Sequence, residues 1–187
     1  MVSGINATYF TSDQHFGHAN IIKYCNRPFS SVYEMDNYLI KQWNNKVGDD
    51  DTVFILGDLF FRNAYSPEKI LENLNGRKNL IIGNHDKYWT RKVDIIKHFD
   101  VIITSTFLVT MGDHRILLSH YPIYDFNNCD YMIHGHNHNN INPDHFLRLQ
   151  SNPNMLNAGV EINNYMPVSL DELCENNRQF LDRNRVC

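Results

Sequence analysis

Histidine, aspartate and asparagine recur at short spacings along this chain, in positions where their side chains could bind divalent metal ions. The sequence contains 10 histidines among its 187 residues. Several stand two positions from another candidate ligand, as in Asp13-x-His15 and His136-x-His138. On an extended backbone, residues two apart point to the same side, so each pair can bind one ion or contact two. The spacing therefore indicates a metal site.

The candidate ligands share one position, which is the carboxyl end of a predicted strand. β-branched and other apolar runs predict strands over 7–11, 52–56, 79–82, 115–119 and 131–133. Each of these strands is followed by one or two of the candidate ligands, which are Asp13, His15, Asp58, Asn84, His85, His120, His136 and His138. Because α/β sheets place their sites at the carboxyl ends of strands, we expect these side chains to converge.

The types of ligand indicate which ions bind and which reaction they would support. Carboxylate, imidazole and amide oxygen without thiolate favour Mn, Fe, Ni or Zn. The ligands exceed the needs of one tetrahedral ion, whereas two ions sharing a carboxylate would use them all. Two ions roughly 3.5–4 Å apart can clamp the oxygens of a phosphoryl displacement and make hydroxide available at neutral pH. A histidine beside the ions would protonate the leaving oxygen, and His85 fits, with Asp86 as its orienting partner.

The order of the motifs resembles the calcineurin-like metallophosphoesterase superfamily, whose pattern is D-x-H, G-D, G-N-H-[DE], H and G-H-x-H. In this chain the pattern reads Asp13-x-His15, Gly57-Asp58, Gly83-Asn84-His85-Asp86, His120 and Gly135-His136-x-His138. The resemblance implies a four-layer α/β/β/α sandwich with two divalent ions, manganese being expected first. It implies one ion bound by Asp13, His15, Asp58 and His138, and another by Asp58, Asn84, His120 and His136. Asp58 would bridge the two ions, and His85 would be the general acid.

A longer string containing D-x-H-F-G-H-x-N-I, followed by Asn26-Arg27-Pro28-Phe29, resembles a small subfamily of bacterial and phage phosphoesterases. It makes His18 and Arg27 candidates for contact with phosphate or substrate. Arg62 stands where phosphoprotein phosphatases have the arginine of G-D-x-V-D-R-G, so it is a third candidate. Beyond Gly57-Asp58 and Arg62 that pattern is absent, and Asp86 replaces a glutamate, which argues against a protein phosphatase.

Several functions are compatible with such a centre, and we expect hydrolysis of a small phosphodiester. The chain is short, which implies an open site without a cap domain. The alternatives are a nuclease, a phosphomonoesterase and a non-catalytic protein-interaction module on the same fold. A net charge of −4 argues against non-specific binding of nucleic acid, which needs a basic surface.

Length and composition indicate one domain over residues 1–187 of a cytoplasmic protein. No apolar run approaches the ~18 residues that a membrane span needs, so no membrane association is expected. The segment Met1–Asn6 does not resemble a signal peptide. The four cysteines form no Cys-x-x-Cys pair and are predicted to be reduced thiols.

Local signals predict the remaining elements. Ser31-x-x-Glu34 and Ser169-x-x-Glu172 are capping boxes that should begin helices. Ser66 before Pro67 predicts another helix start with Ser66 as the N-cap. We also expect a short helix over 87–98, a hairpin formed by 107–111 and 115–119, a loop over 137–142 and a strand over 155–160. Early alternation of strands and helices followed by a hairpin predicts an α/β layered fold.

Overall fold

The computed structural model describes residues 6–62 and 64–185. Within them the chain forms β-strands at Thr8–Thr11 (β1), Thr52–Ile55 (β2), Arg77–Ile81 (β3), Val101–Ile103 (β4), Thr106–Met111 (β5), His114–Ser119 (β6), Tyr131–His134 (β7) and Met155–Asn157 (β8). The α-helices are Ala19–Tyr24 (α1), Val32–Lys46 (α2), Pro67–Asn73 (α3), Asp86–Trp89 (α4), Pro143–Ser151 (α5) and Leu170–Arg183 (α6). Most of the segment on which the signal-peptide prediction rests, together with Cys187, lies outside the described residues.

The strands form two four-stranded sheets whose order follows the sequence. In the first sheet, β1, β2, β3 and β4 are all parallel. In the second, β5 and β6 form the predicted antiparallel hairpin, and β6, β7 and β8 are parallel. Parallel pairing places the carboxyl ends of β1, β2 and β3 at one edge of the first sheet. The ends of β6 and β7 share one edge of the second sheet in the same way.

Alternation along the strands separates the core into layers. In β2, Val53 and Ile55 pack against α2 on the outer face, whereas Phe54 points towards the second sheet. In β7, Ile133 points between the sheets and Met132 packs on the opposite face, in the cluster that contains Leu149 of α5. Helices thus cover both outer faces of two packed sheets. The predicted four-layer α/β/β/α sandwich is confirmed.

Most helix boundaries agree with the sequence, but three predictions are wrong, two for helices and one for a strand. Ser66 has a left-handed backbone (φ 50°) and its side chain caps nothing, although α3 does begin at Pro67. The helix predicted over 87–98 is mostly absent, because α4 ends at Trp89 and a single 3₁₀ turn follows at Ile95–Lys97. The strand predicted to reach residue 160 ends at Asn157, where the chain turns into the loop that carries Glu161.

The capping box predicted for α6 is complete, whereas the one predicted for α2 is only half formed. Ser169 and Glu172 form both bonds of the capping box at α6. At α2, Ser31 accepts from the Glu34 amide, but the Glu34 carboxylate accepts from Ser30 instead of Ser31.

Along 6–62 and 64–185, no helix is both long and apolar enough to cross a bilayer. Cys25, Cys129 and Cys174 are free thiols, as predicted.

Candidate metal centre

The loops that follow the strands hold the predicted ligands in an unusual backbone conformation. Most of these ligands are in the left-handed region, with φ values of 60° at Asp13, 54° at His15, 55° at Asp58, 69° at His136 and 48° at His138. Non-glycine residues adopt this conformation at a cost of about 1–3 kcal/mol each, and they cluster at functional sites. The surrounding hydrogen bonds maintain it, as where the amides of Asp13 and His15 donate to the carbonyls of Gly57 and Asp58.

The first group of ligands surrounds one oxygen of Asp13. Asp13 Oδ2 accepts a hydrogen bond from the His136 amide at 2.9 Å. Asp13 Oδ1 is buried and has no hydrogen-bond partner among the described residues. It lies 3.9 Å from His15 Nε2 and 4.0 Å from His138 Nε2. One carboxylate oxygen and two imidazole nitrogens thus face a common point.

The second group surrounds one oxygen of Asp58. Asp58 Oδ1 accepts from the His85 amide at 2.8 Å, which leaves Oδ2 for other partners. Asp58 Oδ2 lies 3.6 Å from His15 Nε2 and 3.5 Å from His120 Nε2. Since His15 belongs to the first group and His120 to the second, Asp58 stands between the two. His136 completes the second group, because ligand atoms of Asp58, His120 and His136 all lie within 4.8 Å of one another.

His120 shows how the protein sets the tautomer of a predicted ligand. Its Nδ1 lies 2.8 Å from the Leu56 carbonyl oxygen, which can only accept, so Nδ1 carries the proton. In the neutral ring, Nε2 then holds a lone pair, and it faces Asn84 Oδ1 at 3.0 Å. Two lone-pair donors directed at each other are suited to a cation that both can bind.

Two glycines allow the motif loops to approach one another. A Cβ on Gly83 would collide with Asp58 Oδ1, and a Cβ on Gly135 would collide with Ser12 Oγ and lie 2.6 Å from Asp13 Oδ2. Glycine at these positions therefore leaves room for the carboxylates. The G-N-H-D and G-H-x-H motifs thus need glycine at these positions for close packing.

Burial strongly affects the charges of the centre. It raises the pKa of the Asp58 carboxyl to about 7, because a buried carboxylate loses its hydration and the Asp13 and Asp86 carboxyls lie nearby. Burial also lowers the pKa of His15 well below its ordinary value, and neighbouring His138 and Arg27 act in the same direction. Neutral imidazoles and buried carboxylates are metal ligands that gain a favourable partner from a divalent ion. Together with the orphaned oxygen of Asp13, this donor set fits bound divalent cations.

Glu161, which the sequence analysis did not single out, supports the first group from behind. Its Oε1 accepts from His138 Nδ1 at 2.9 Å, so the His138 Nε2 lone pair is directed towards Asp13. The same oxygen accepts from Arg27 Nε at 3.0 Å and Nη2 at 2.7 Å. Burial alone would raise the pKa of Glu161, but Arg27 and His138 lower it to about 2. Glu161 follows β8, so a search for acids after every strand would have found it.

Arg27 does not contact the cleft in the way that the sequence analysis expected. It is buried, and its guanidinium donates to the carbonyls of Asp13 at 2.7 Å and Gln14 at 2.8 Å as well as to Glu161. The prediction that Arg27 contacts phosphate is therefore wrong. Its hydrogen bonds instead fix the backbone of the first motif in its strained conformation.

His85 and Asp86 have separate surroundings. His85 lines the cleft with its side chain 34% exposed, and its Nε2 lies 3.9 Å from Asp58 Oδ2. Asp86 is fully buried and accepts from the amides of Asp58, Leu59 and Gly83 and from the Trp89 indole. No hydrogen bond joins it to the His85 ring among the described residues, so the predicted orienting role of Asp86 is wrong. Asp86 instead ties the Gly57-Asp58 loop to the Gly83-Asn84 loop.

An open cleft of about 850 Å³ leads to the centre and includes His15, His85, His136 and His138 in its wall. His18 also lines it and stacks on Phe61, with ring centroids 3.7 Å apart. The predicted position of His18 beside the substrate site is thus compatible with the structure. Arg62 is exposed, lies over the Phe61 ring and belongs to a separate surface depression near Trp89. The predicted contact between Arg62 and a phosphate stays a prediction, because the Phe61 ring that Arg62 overlies lines the cleft.

Comparison with known proteins gives relatives of unknown function. The uncharacterized protein MJ1445 of Methanocaldococcus jannaschii is 42% identical over 167 residues, which covers 87% of this chain and 86% of the archaeal protein. The chain belongs to the MJ1445 family. No family model matches the sequence.

The MJ1445 family extends to phage proteins and to a solved structure. The Gene 66 protein of Mycobacterium phage L5 is 32% identical over 164 residues, covering 70% of this chain and 77% of the phage protein. The structure of the protein of unknown function AQ665 from Aquifex aeolicus superposes with a TM-score of 0.73 at 30% identity. That match covers 91% of this chain and 99% of the Aquifex chain. The relatives thus include a phage protein, and the fold is shared with the Aquifex protein along nearly the whole chain.

Proposed function

We propose that this member of the MJ1445 family is a metal-dependent phosphoesterase of the calcineurin-like superfamily. The observation that carries the proposal is the position of Asp58, whose free Oδ2 lies 3.6 Å from His15 Nε2 and 3.5 Å from His120 Nε2. A carboxylate shared by two groups of imidazoles is suited to bridging two neighbouring divalent ions.

The two groups give each ion its own set of ligands. Asp13, His15, Asp58 and His138 would hold one ion, and Asp58, Asn84, His120 and His136 would hold the other. Mn is the ion we propose first, and Fe, Zn and Ni suit the same mixture of imidazole, carboxylate and amide donors. Bound ions would supply positive charge that stabilises a phosphorane-like transition state and lowers the pKa of water.

The protein itself supplies position and a proton. Glu161 and the Leu56 carbonyl fix the rings of His138 and His120, so their ligand nitrogens need no reorientation. His85 reaches the cleft beside Asp58 and would donate a proton to the leaving oxygen, which makes a poor leaving group easier to expel. Because its Nε2 is near Asp58 Oδ2, His85 could alternatively bind an ion, and the two roles differ in their effect on metal content.

The charge of the cleft supports a diester substrate. Within the described residues, the cleft lining contains no lysine or arginine. A phosphomonoester at neutral pH carries close to two negative charges, and sites for such groups commonly use arginine. A diester carries one charge, which the metal centre can neutralise alone. The alternative of a non-catalytic module is disfavoured by strained ligands whose free lone pairs converge on common points.

The first test combines activity with a matched pair of variants. We expect protein purified with Mn²⁺ to hydrolyse bis-p-nitrophenyl phosphate, and Asp58→Asn to lose at least 100-fold in kcat/KM, on the order expected when a charge-stabilising group is removed. Asp100→Asn removes an aspartate whose exposed side chain pairs with Arg77, so activity should be unchanged. Equal activity of wild type and Asp58→Asn would refute the proposal.

A second test separates the two roles of His85. If His85 is the general acid, His85→Gln retains its metal and loses activity most strongly for substrates with poor leaving groups, by roughly 10²–10⁴-fold. For p-nitrophenolate, which leaves without protonation, the loss should be much smaller. A loss of one metal equivalent with uniform loss of activity would assign His85 as a ligand instead.

A further inference from the structure

One wall of the cleft has no charged side chain and combines apolar side chains with side-chain amides. It is formed by α1 on one side and by the 137–141 loop on the other. Tyr24 and Ile141 line this wall with 73% and 53% of their surfaces exposed. Ile21 of α1 also lines it but is almost fully buried. Exposed apolar side chains that meet in a concave site are suited to a ligand that covers them.

Aromatic rings are concentrated on the α1 side. The Tyr24 and His18 rings form a T-shaped pair with centroids 6.1 Å apart, and His18 stacks on Phe61 with centroids 3.7 Å apart. His18 and Phe61 support each other, whereas Tyr24 has most of its ring free. A free aromatic face in a cleft is a common platform for a planar heterocycle, because stacking is favourable with any base.

The polar groups of the same wall are amides. Asn20, Asn139 and Asn140 line the cleft. The Asn139 side chain uses its nitrogen on the Cys25 carbonyl, and Asn140 uses its oxygen on the Asn142 amide, so each retains a group for another partner. Side-chain amides offer a donor beside an acceptor, which is the pattern that the edges of nucleobases present.

We propose that this wall, formed by Tyr24, Ile141 and the asparagines, is a base-binding subsite for small nucleoside phosphodiesters with a single phosphate. This inference rests on the proposed phosphodiesterase function and deepens it. The absence of lysine and arginine from the described cleft lining decides against a nucleic-acid polymer, whose further phosphates would require basic partners. A cyclic nucleotide or a nucleoside ester needs only the metal centre for its one charge.

The test compares two diesters that share a leaving group and a single charge. They are thymidine 5′-(p-nitrophenyl phosphate) and methyl p-nitrophenyl phosphate, assayed with the Mn²⁺-loaded full chain. We expect the thymidine ester to have a kcat/KM at least about tenfold higher, since stacking of one base is worth that much. Tyr24→Ala should remove most of that advantage and leave the methyl ester unchanged. Tyr33→Ala is the matched control, because Tyr33 is 78% exposed but lies on α2 outside the cleft.

Equal kcat/KM for the two esters, or an equal loss for both in Tyr24→Ala, would overturn the subsite. Thymidine oligomers test the single-phosphate class separately. We expect kcat/KM per phosphodiester bond not to increase beyond the dinucleotide. A tenfold increase with oligomer length, together with steep salt dependence, would overturn that class. If neither ester is hydrolysed, the proposed function fails, and calorimetric titration with the methyl ester of thymidine 5′-phosphate still tests the subsite. Binding that Tyr24→Ala weakens supports the subsite, and no binding overturns it.

Discussion

Replacing Glu161 by glutamine tests whether the buried network behind the metal centre holds its ligands in place. The Glu161 side chain is 1% exposed, and its Oε1 accepts two hydrogen bonds from Arg27 and one from His138. Glutamine preserves the shape but removes the charge, so the Arg27 guanidinium is left buried without a counter-ion. Removing one partner of a buried ion pair typically costs about 3–5 kcal/mol.

The pKa of Glu161 gives an independent value for the same loss. It falls from 4.5 to about 2 in the folded protein, because the influence of Arg27 and His138 exceeds that of burial. One pKa unit corresponds to about 1.4 kcal/mol, so the ionised side chain adds roughly 3 kcal/mol of stability at neutral pH. Since the pKa is depressed on folding, this stability is fully present above pH 4.5 and is lost as the pH falls towards 2.

The assay is urea unfolding of EDTA-treated protein at pH 7.5 and pH 3, which separates folding stability from metal binding. We expect Glu161→Gln to unfold with about 3 kcal/mol less free energy at pH 7.5 and with a clearly smaller deficit at pH 3. Glu175→Gln is the control, because the Glu175–Arg178 pair is exposed and solvent screens it. A deficit at pH 7.5 below about 1 kcal/mol, or one independent of pH, would refute the reasoning.

The same variant should weaken metal binding. Groups that orient a ligand from behind typically contribute 10–100-fold in metal affinity, so we expect a loss of that order in Mn²⁺ titrations of Glu161→Gln. Unchanged affinity would show that His138 keeps its orientation without Glu161.

Three further substitutions test other parts of the account. Asp86→Asn places an amide group where the carboxylate accepts four N–H groups, and we expect about 3 kcal/mol of lost stability in urea unfolding. Gly135→Ala puts a methyl group against Asp13 Oδ2 and should lower metal content measured by mass spectrometry. Asp36→Asn removes a carboxyl whose pKa is raised to about 6 by burial. The hydrogen bond that the carboxyl accepts from the Gly17 amide opposes this rise but does not cancel it. Ionisation of Asp36 is thus unfavourable in the fold, so the variant should equal wild type at pH 3.5 and be more stable above pH 6 by on the order of 1–3 kcal/mol.

Each of these predictions has a result that contradicts it. An Asp86→Asn protein as stable as wild type would mean that the Asp58 and Gly83 loops do not depend on Asp86. Gly48→Ala is the control for Gly135→Ala, because a Cβ on Gly48 would come no closer than 3.4 Å to the Asp51 side chain, and Gly48 lies just after α2. Equal metal content of these two variants would contradict the close packing at Asp13. A stability difference in Asp36→Asn that is already present at pH 3.5 would contradict the assigned titration.

The positions of the candidate metal ligands were predictable because their signals are local. Each ligand lies within a few residues of a strand end, and parallel pairing, such as Thr11 beside Ile55, brings those ends to one edge. The four-layer arrangement followed from the resemblance, whereas the alternation of strands and helices indicated only an α/β layered fold. Neither the positions of the candidate ligands nor the order of the layers therefore had to be predicted from contacts between distant residues.

The supporting contacts were not predictable from local signals. Arg27 and Glu161 are 134 positions apart, and nothing in the sequence around either residue shows that their side chains meet behind Asp13. An arginine in a motif is as compatible with binding phosphate as with holding carbonyls, and burial alone decides between the two. Asp86 is similar, because its four hydrogen-bond donors come from the ends of β2 and β3 and from α4. Ser66 is a residue type that commonly caps helices, but its left-handed backbone is not signalled by the sequence. The prediction that Ser66 caps α3 was therefore wrong.

The central claim is that Asp58 lies between two metal ions, and anomalous diffraction from crystals soaked in Mn²⁺ tests it most directly. The account predicts two anomalous peaks roughly 3.5–4 Å apart on either side of Asp58 Oδ2, one near Asp13 and the other near His120. A single peak, or a peak confined to the neighbouring Cys25, His138 and Glu161 group, would contradict it.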